Sequence, residues 1–147
     1  MLQRKYLLGG LALFAVLFFS AQVFAQAEKR QAVMKDNSAA NKAIKGAVEA
    51  KDYATIEAKA RDIMGNADKI VSLFPKGSDK GKTKATAAIW DKSDDFAKAA
   101  KKLSSAAGEL ASAAKAKDEA AVPVKVKAMG DTCGGCHKAF RAEKYAE

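Results

Sequence analysis

Apolar side chains recur along this chain at helical spacing, and nowhere do they alternate over the length of a strand. One stretch differs in kind. Residues 7–19 are almost wholly apolar, follow Arg4 and Lys5, and precede Val23-Phe24-Ala25. A basic start, a short apolar core and small or tolerated residues before a cut describe a secretory signal peptide. A retained membrane anchor is the alternative, and the apolar core is short for a spanning helix. The chain therefore divides into a leader, residues 1–25, and a mature part, residues 26–147. The mature part has no second apolar run, so no membrane association is expected after cleavage.

The mature part holds four periodic segments. The first covers about 27–51, with Met34, Asn41, Ile44 and Val48 along one side. The second starts at Asp52, a suitable N-cap. It carries Tyr53, Ile56, Ile63, Ala67 and Ile70 as a stripe and stops at Leu73-Phe74-Pro75, since proline cannot continue a helix interior. Residues 75–86 are polar, contain Gly77 and Gly81, and read as a loop. The third helix begins near Ala88. Ile89, Phe96, Leu103 and Leu110 recur every seven residues with Ala100 and Ala107 between them, which is a bundle seam. It ends around Lys117-Asp118. Pro123 fits the first turn of a fourth helix, whose inner side would hold Val126, Met129, Cys133, Cys136, His137 and Phe140. Short connections between amphipathic segments predict an all-α fold, an antiparallel four-helix bundle.

Composition sharpens this reading. The 147 residues include 26 Lys and Arg, 17 Asp and Glu, two Cys and one His. Two cysteines exclude a multi-disulfide scaffold, and two Cys with one His cannot complete a four-ligand zinc site. The leader takes two bases and no acid with it, leaving 24 bases against 17 acids, or +7. It also takes four of the seven Phe and one of the three Tyr. The remaining apolar set is mostly Ala, which buries little area and so contributes little at ~25 cal/mol per Å². Either the helices approach closely, or a large apolar group that is not an amino acid fills the middle.

Cys133-Gly134-Gly135-Cys136-His137 is the chemical signal, and it reads as c-type haem attachment. Positions i and i+3 of a helix face the same way, so both thiols can add to the two vinyl groups of one haem. His137, at i+4 from Cys133, can offer a ring nitrogen to the iron. The two intervening glycines leave room for the macrocycle edge. The only cysteines and the only histidine of the chain fall within five residues. A dithiol redox pair shares the Cys-x-x-Cys spacing but sits at a helix start after a strand, a context missing here. A secreted chain with such a motif is expected in the periplasm.

On these residues the chain resembles the class II cytochromes c, the cytochrome c′ superfamily, whose haem motif lies near the C-terminus. The resemblance rests on the stretch from Arg30 to Met34, on Leu73-Phe74-Pro75, on Ile89-Trp90 and on the Cys-x-x-Cys-His-x-x-Phe-Arg run ending at Arg141. It implies a four-helix bundle with one covalent haem c and either electron transfer or gas binding. By the same resemblance Arg30 sits near a haem propionate, in agreement with guanidinium–carboxylate pairing. Phe140 packs on the haem, or is ordinary core. Met34 faces the distal side, where a thioether can ligate iron beside His137. The run Val33-Met34-Lys35-Asp36-Asn37 resembles the low-spin, methionine-ligated subgroup.

The expected function is a periplasmic electron carrier with His137/Met34 ligation. The alternative is a five-coordinate haem protein that binds nitric oxide or carbon monoxide, with Met34 a core filler. A haem enzyme would need a distal acid or base, and the distal face offers Met34, Ala and Asn, so no enzyme is expected. Lys76, Lys80, Lys82 and Lys84 crowd the second loop, and Lys125, Lys127, Lys138 and Lys144 flank the haem helix. They are either a solvated face or a rim that steers an acidic redox partner. No nucleic-acid partner is expected, because aromatics are not interleaved with the bases. Family members are monomers or homodimers.

Overall fold

Good helix formers run unbroken across residue 25, and between Gly10 and Gly46 there is neither Gly nor Pro. In the computed structural model that run is one helix, α1 (Gln3–Glu49). The first helix therefore does not start near residue 27, because nothing in the sequence stops it there. The structure describes residues 3–79 and 83–144, with side chains from Gln26 onward. Lys80, Lys82, Tyr145 and the leader's side chains fall outside the described residues. Among the described residues no helix is long and apolar enough to cross a membrane.

After α1 come α2 (Tyr53–Ile70), a 3₁₀ turn (Val71–Leu73), a one-turn helix α3 (Ala88–Asp91), α4 (Ser93–Lys115) and α5 (Ala121–Phe140). The long helices α1, α2, α4 and α5 pack in that order as an antiparallel four-helix bundle, and α1 and α5 touch least. Among the described residues the only β pairing is an isolated antiparallel bridge between Ala85 and Arg141.

Two turns at one end share a chemical design. Lys51 and Lys117 adopt left-handed backbone, φ 52° and 54°. After each, an aspartate amide bonds back across the helix end: Asp52 N to Ala47 O at 2.8 Å and Asp118 N to Ala113 O at 3.0 Å. With Lys51 N to Val48 O and Lys117 N to Ala114 O, these are Schellman closures. Each aspartate then caps the next segment. Asp52 Oδ1 accepts from Thr55 N, as its place in the sequence predicts, and Asp118 Oδ1 accepts from Ala120 N and Ala121 N.

The seam predicted for the third helix is buried: Ile89, Phe96, Ala100, Leu103, Ala107 and Leu110. It faces Ile56, Ala60, Ile63, Ala67 and Ile70 of α2. Alternating large residues with Ala lets the two helices close up. A methyl group on Gly108 would lie 3.3 Å from Met64 Sδ. The seam is not one helix, however. The backbone leaves helical geometry at Lys92 (φ −123°, ψ 48°), splitting α3 from α4. Trp90 explains the offset of the first turn: its Nε1–H donates to Phe74 O (3.1 Å) and Pro75 O (3.0 Å), so it anchors the preceding connection. The inner face of α1 also differs. Ala40, Ile44 and Ala47 are buried, whereas Met34, Asn41 and Val48 are half-buried.

Candidate haem site

A cavity of about 490 Å³ opens at the end of the bundle that holds the start of the mature part of α1. Its apolar wall comes from Ile70, Phe74, Ile89, Phe96 and Phe140. α1 contributes Arg30 and Met34 to the lining, and α5 contributes Cys136 and His137. Four residues separate Arg30 from Met34, one helical turn, so both point to the same side. Residues near position 30 and residues near position 137 thus meet around one space.

The α5 residues do not all lie on its inner side. Met129 and Phe140 are buried, and Val126, Cys133 and Cys136 are half-buried. His137 is exposed at the cavity mouth, which corrects its expected place on the inner face. The cause is angular: one residue beyond Cys136 on a helix turns about 100° away from it. Cys133 packs against the core rather than on the cavity wall. Both thiols are free, and burial pushes both above the ordinary thiol range. Partial desolvation at the cavity mouth and the nearby Arg141 guanidinium push the His137 imidazole down, favouring its neutral form. A methyl group added at Gly134 or Gly135 would meet nothing within 4 Å, so packing within the chain does not require glycine there.

Phe140 ends α5 and stacks edge to face on Phe96, which does the same with Phe74 at 5.0 Å. The chain after Phe140 is pinned to the segment before α3: Thr86 N donates to Phe140 O, Ala142 N to Lys84 O, and Lys84 Nζ to Glu143 O. These ties fix the end of the helix that carries the motif.

Arg30 is 5% exposed. Its Nε donates to Leu73 O (2.6 Å), Nη1 to Ser78 O (2.9 Å) and Nη2 to Ser78 Oγ. The guanidinium carbon sits 4.2 Å from the centre of the Phe74 ring. Burial lowers its pKa, yet it remains a cation at any ordinary pH. The sequence carries no local signal for this clamp, whose partners lie 43 and 48 residues away.

Among the described residues, the charged ones of the lining are all basic: Arg30, Lys35, Lys84 and Arg141, with His137. Lys138 and Lys144 are exposed nearby in sequence. Lys125 and Lys127 are different, since they pair with Glu109 and Asp131. An aromatic and aliphatic slot lined by the Cys136 thiol, an imidazole and a thioether, with Cys133 one turn back on the same helix and only positive charge among the described lining residues, suits a flat, apolar, dianionic macrocycle that carries a metal. The residues present fit a haem.

A model of the Cytochrome C′ family matches residues 25–141. The cytochrome c′ of Rhodospirillum rubrum is 44% identical over 85 residues, an alignment spanning 57% of this chain and 58% of that protein. Cytochrome c-556 of Agrobacterium fabrum is 37% identical over 123 residues, 81% of this chain and 82% of that one. Among solved structures, the cytochrome c′ of Thermochromatium tepidum superposes with a TM-score of 0.75 at 29% identity, over 81% of this chain and 95% of that chain. With the bundle, the slot and the Cys-x-x-Cys-His run in place, this chain belongs to the cytochrome c′ family, the class II cytochromes c, and carries a covalently attached haem c.

Proposed function

We propose that the protein is a periplasmic electron carrier whose haem is bonded to Cys133 and Cys136, with His137 and Met34 as the iron's axial ligands. The observation that carries the proposal is that Met34 of α1 lines the same cavity as Cys136 and His137 of α5. Each thiol would add its S–H across one vinyl group, giving two thioethers without net oxidation. The haem, when bound, supplies a one-electron iron couple, and methionine ligation raises its potential. The chain does the rest. Phe96 and Phe140 exclude water from one wall. Arg30 has five guanidinium N–H groups, of which three are held by protein acceptors, leaving two for a propionate. The basic mouth suits an acidic redox partner. Export follows from the leader, and the family match beginning at residue 25 supports cleavage near there.

The second reading is a five-coordinate protein that binds nitric oxide or carbon monoxide. The name cytochrome c′ of the Rhodospirillum relative favours it. A solved structure from Alcaligenes xylosoxidans, described as a nitric oxide complex of a cytochrome c′ variant, shares the fold at 21% identity. The ferric absorption spectrum separates the readings. Ligation by Met34 gives a low-spin spectrum with a thioether–iron charge-transfer band and slow carbon monoxide binding after reduction. Met34→Ala then converts it to high spin. A wild type that is already high-spin, and unchanged by Met34→Ala, establishes the gas-binding reading instead.

A further inference from the structure

Ser78 is 3% exposed and sits at the centre of a corner built from residues 73–78. Its hydroxyl donates to Pro75 O (2.6 Å) and accepts from Arg30 Nη2, and its carbonyl accepts from Arg30 Nη1. Its own amide donates to Pro75 O as well. Trp90 Nε1 holds the same corner from α3. The corner therefore has fixed acceptors, and Arg30 enters it as a planar fork stacked on Phe74. A fork bound at three points fixes both the rotation of its helix and its position along the axis. Four residues on, Met34 shares that face of α1 and lines the cavity. Three residues after Met34, Asn66 Nδ2 donates to Asn37 Oδ1 at 2.8 Å and ties α1 to α2. Met34 is thus bracketed by two side-chain ties, on a helix that touches α5 little.

We infer that Ser78 is a positioning residue for Met34: by holding the Arg30 fork in the corner, it sets where the Met34 thioether stands in the cavity. The inference rests on Met34 as the second axial ligand. Removing the hydroxyl leaves one buried guanidinium N–H without its acceptor and lets the α1 turn relax. The fold itself, which rests on the α2–α4 seam, is unaffected.

The test uses the haem-loaded protein and three variants, Ser78→Ala, Met34→Ala and Val122→Ala. Val122 is 2% exposed and starts α5 at the other end of the bundle, so Val122→Ala lowers stability without touching the corner. In Ser78→Ala, we expect a weaker thioether–iron band and carbon monoxide association with the ferrous form faster by roughly tenfold, the scale of losing one charge-assisted hydrogen bond. Val122→Ala is expected to keep the wild-type band and rate despite melting earlier. If Ser78→Ala matches wild type in band and rate while Met34→Ala loses the band, the positioning role is wrong and the ligand assignment stands. If wild type lacks the band and Met34→Ala changes nothing, the ligand assignment fails and the role of Ser78 fails with it.

Discussion

Phe96 of α4 and Phe140 of α5 meet edge to face, with ring centroids 5.2 Å apart and planes at 73°. Phe140 is the last residue of the helix that carries the Cys-x-x-Cys-His run, so this contact fastens that helix to the bundle seam beside the cavity. Phe74 continues the cluster on the other side of Phe96, at 5.0 Å, and lies under Arg30. One ring thus links the α5 side of the cavity to the α1 side.

Phe96→Ala removes that link. Large aromatic-to-Ala changes at buried positions cost about 3–5 kcal/mol, and this ring, 4% exposed, also carries two aromatic contacts. Chemical denaturation of the haem-loaded protein should show a loss in that range. A loss under about 1 kcal/mol, the size of a surface substitution, would show that the rings are not coupled through Phe96.

Covalent attachment is tested by mass. The protein purified from a cell that matures c-type cytochromes should keep its colour through acid-acetone extraction. It should weigh as much as the chain from about Gln26 plus one haem. Cys133→Ala or Cys136→Ala should leave at most one thioether. A colourless product with a Cys133–Cys136 disulfide would contradict the assignment of both thiols.

Much of the fold and of the site is legible in the sequence. The seven-residue spacing of Ile89, Phe96, Leu103 and Leu110 is a local pattern, and all four are buried. Asp52 and Pro123 act through their immediate neighbours, so the start of α2 and the first turn of α5 are readable. The haem motif is contiguous, and its neighbours in space come from the bundle. The features that stay hidden depend on contacts between distant residues. The break at Lys92 accompanies Trp90 reaching back 15 and 16 residues to two carbonyls. The Arg30 corner joins positions 48 apart, and no composition or periodicity marks Ser78. The exposure of His137, by contrast, is legible in principle, since a step of about 100° past Cys136 takes it off the inner face of α5. Ala60 completes the buried stripe of α2, yet a lone Ala in an Ala-rich chain carries no contrast by which to find it.

Lys117 tests the turns at the far end. Its φ of 54° places a side chain where glycine is free of strain, and the left-handed backbone costs other residues roughly 1–2 kcal/mol. Lys117 is exposed, so little packing is lost with its side chain. Lys117→Gly should stabilise the protein by about 1 kcal/mol, offset in part by the greater freedom of glycine in the unfolded chain. Thermal unfolding at fixed pH checks this. A lower melting temperature would mean that the lysine stem packs on the helix end more than its exposure indicates.

Charge at the cavity mouth gives the last prediction. Among the described residues the lining holds Arg30, Lys35, Lys84 and Arg141 and no acid, and Lys138 is exposed beside His137. Residues 26–147 carry +7 before two haem propionates are counted. A field of one sign at the site of electron entry should speed encounter with an acidic partner, and salt should weaken it as screening closes in to ~10 Å at 0.1 M. Reduction by an acidic donor protein should therefore slow as ionic strength rises. Lys35→Gln with Lys138→Gln should lower the low-salt rate several-fold and flatten the salt dependence, because rim charges act mainly on the rate of association. Lys115→Gln, at the last turn of α4 and away from the mouth, should leave both close to wild type. Equal effects from Lys115 and from the mouth lysines would show that net charge alone attracts the partner. A rate indifferent to salt would reduce these lysines to a solvated face.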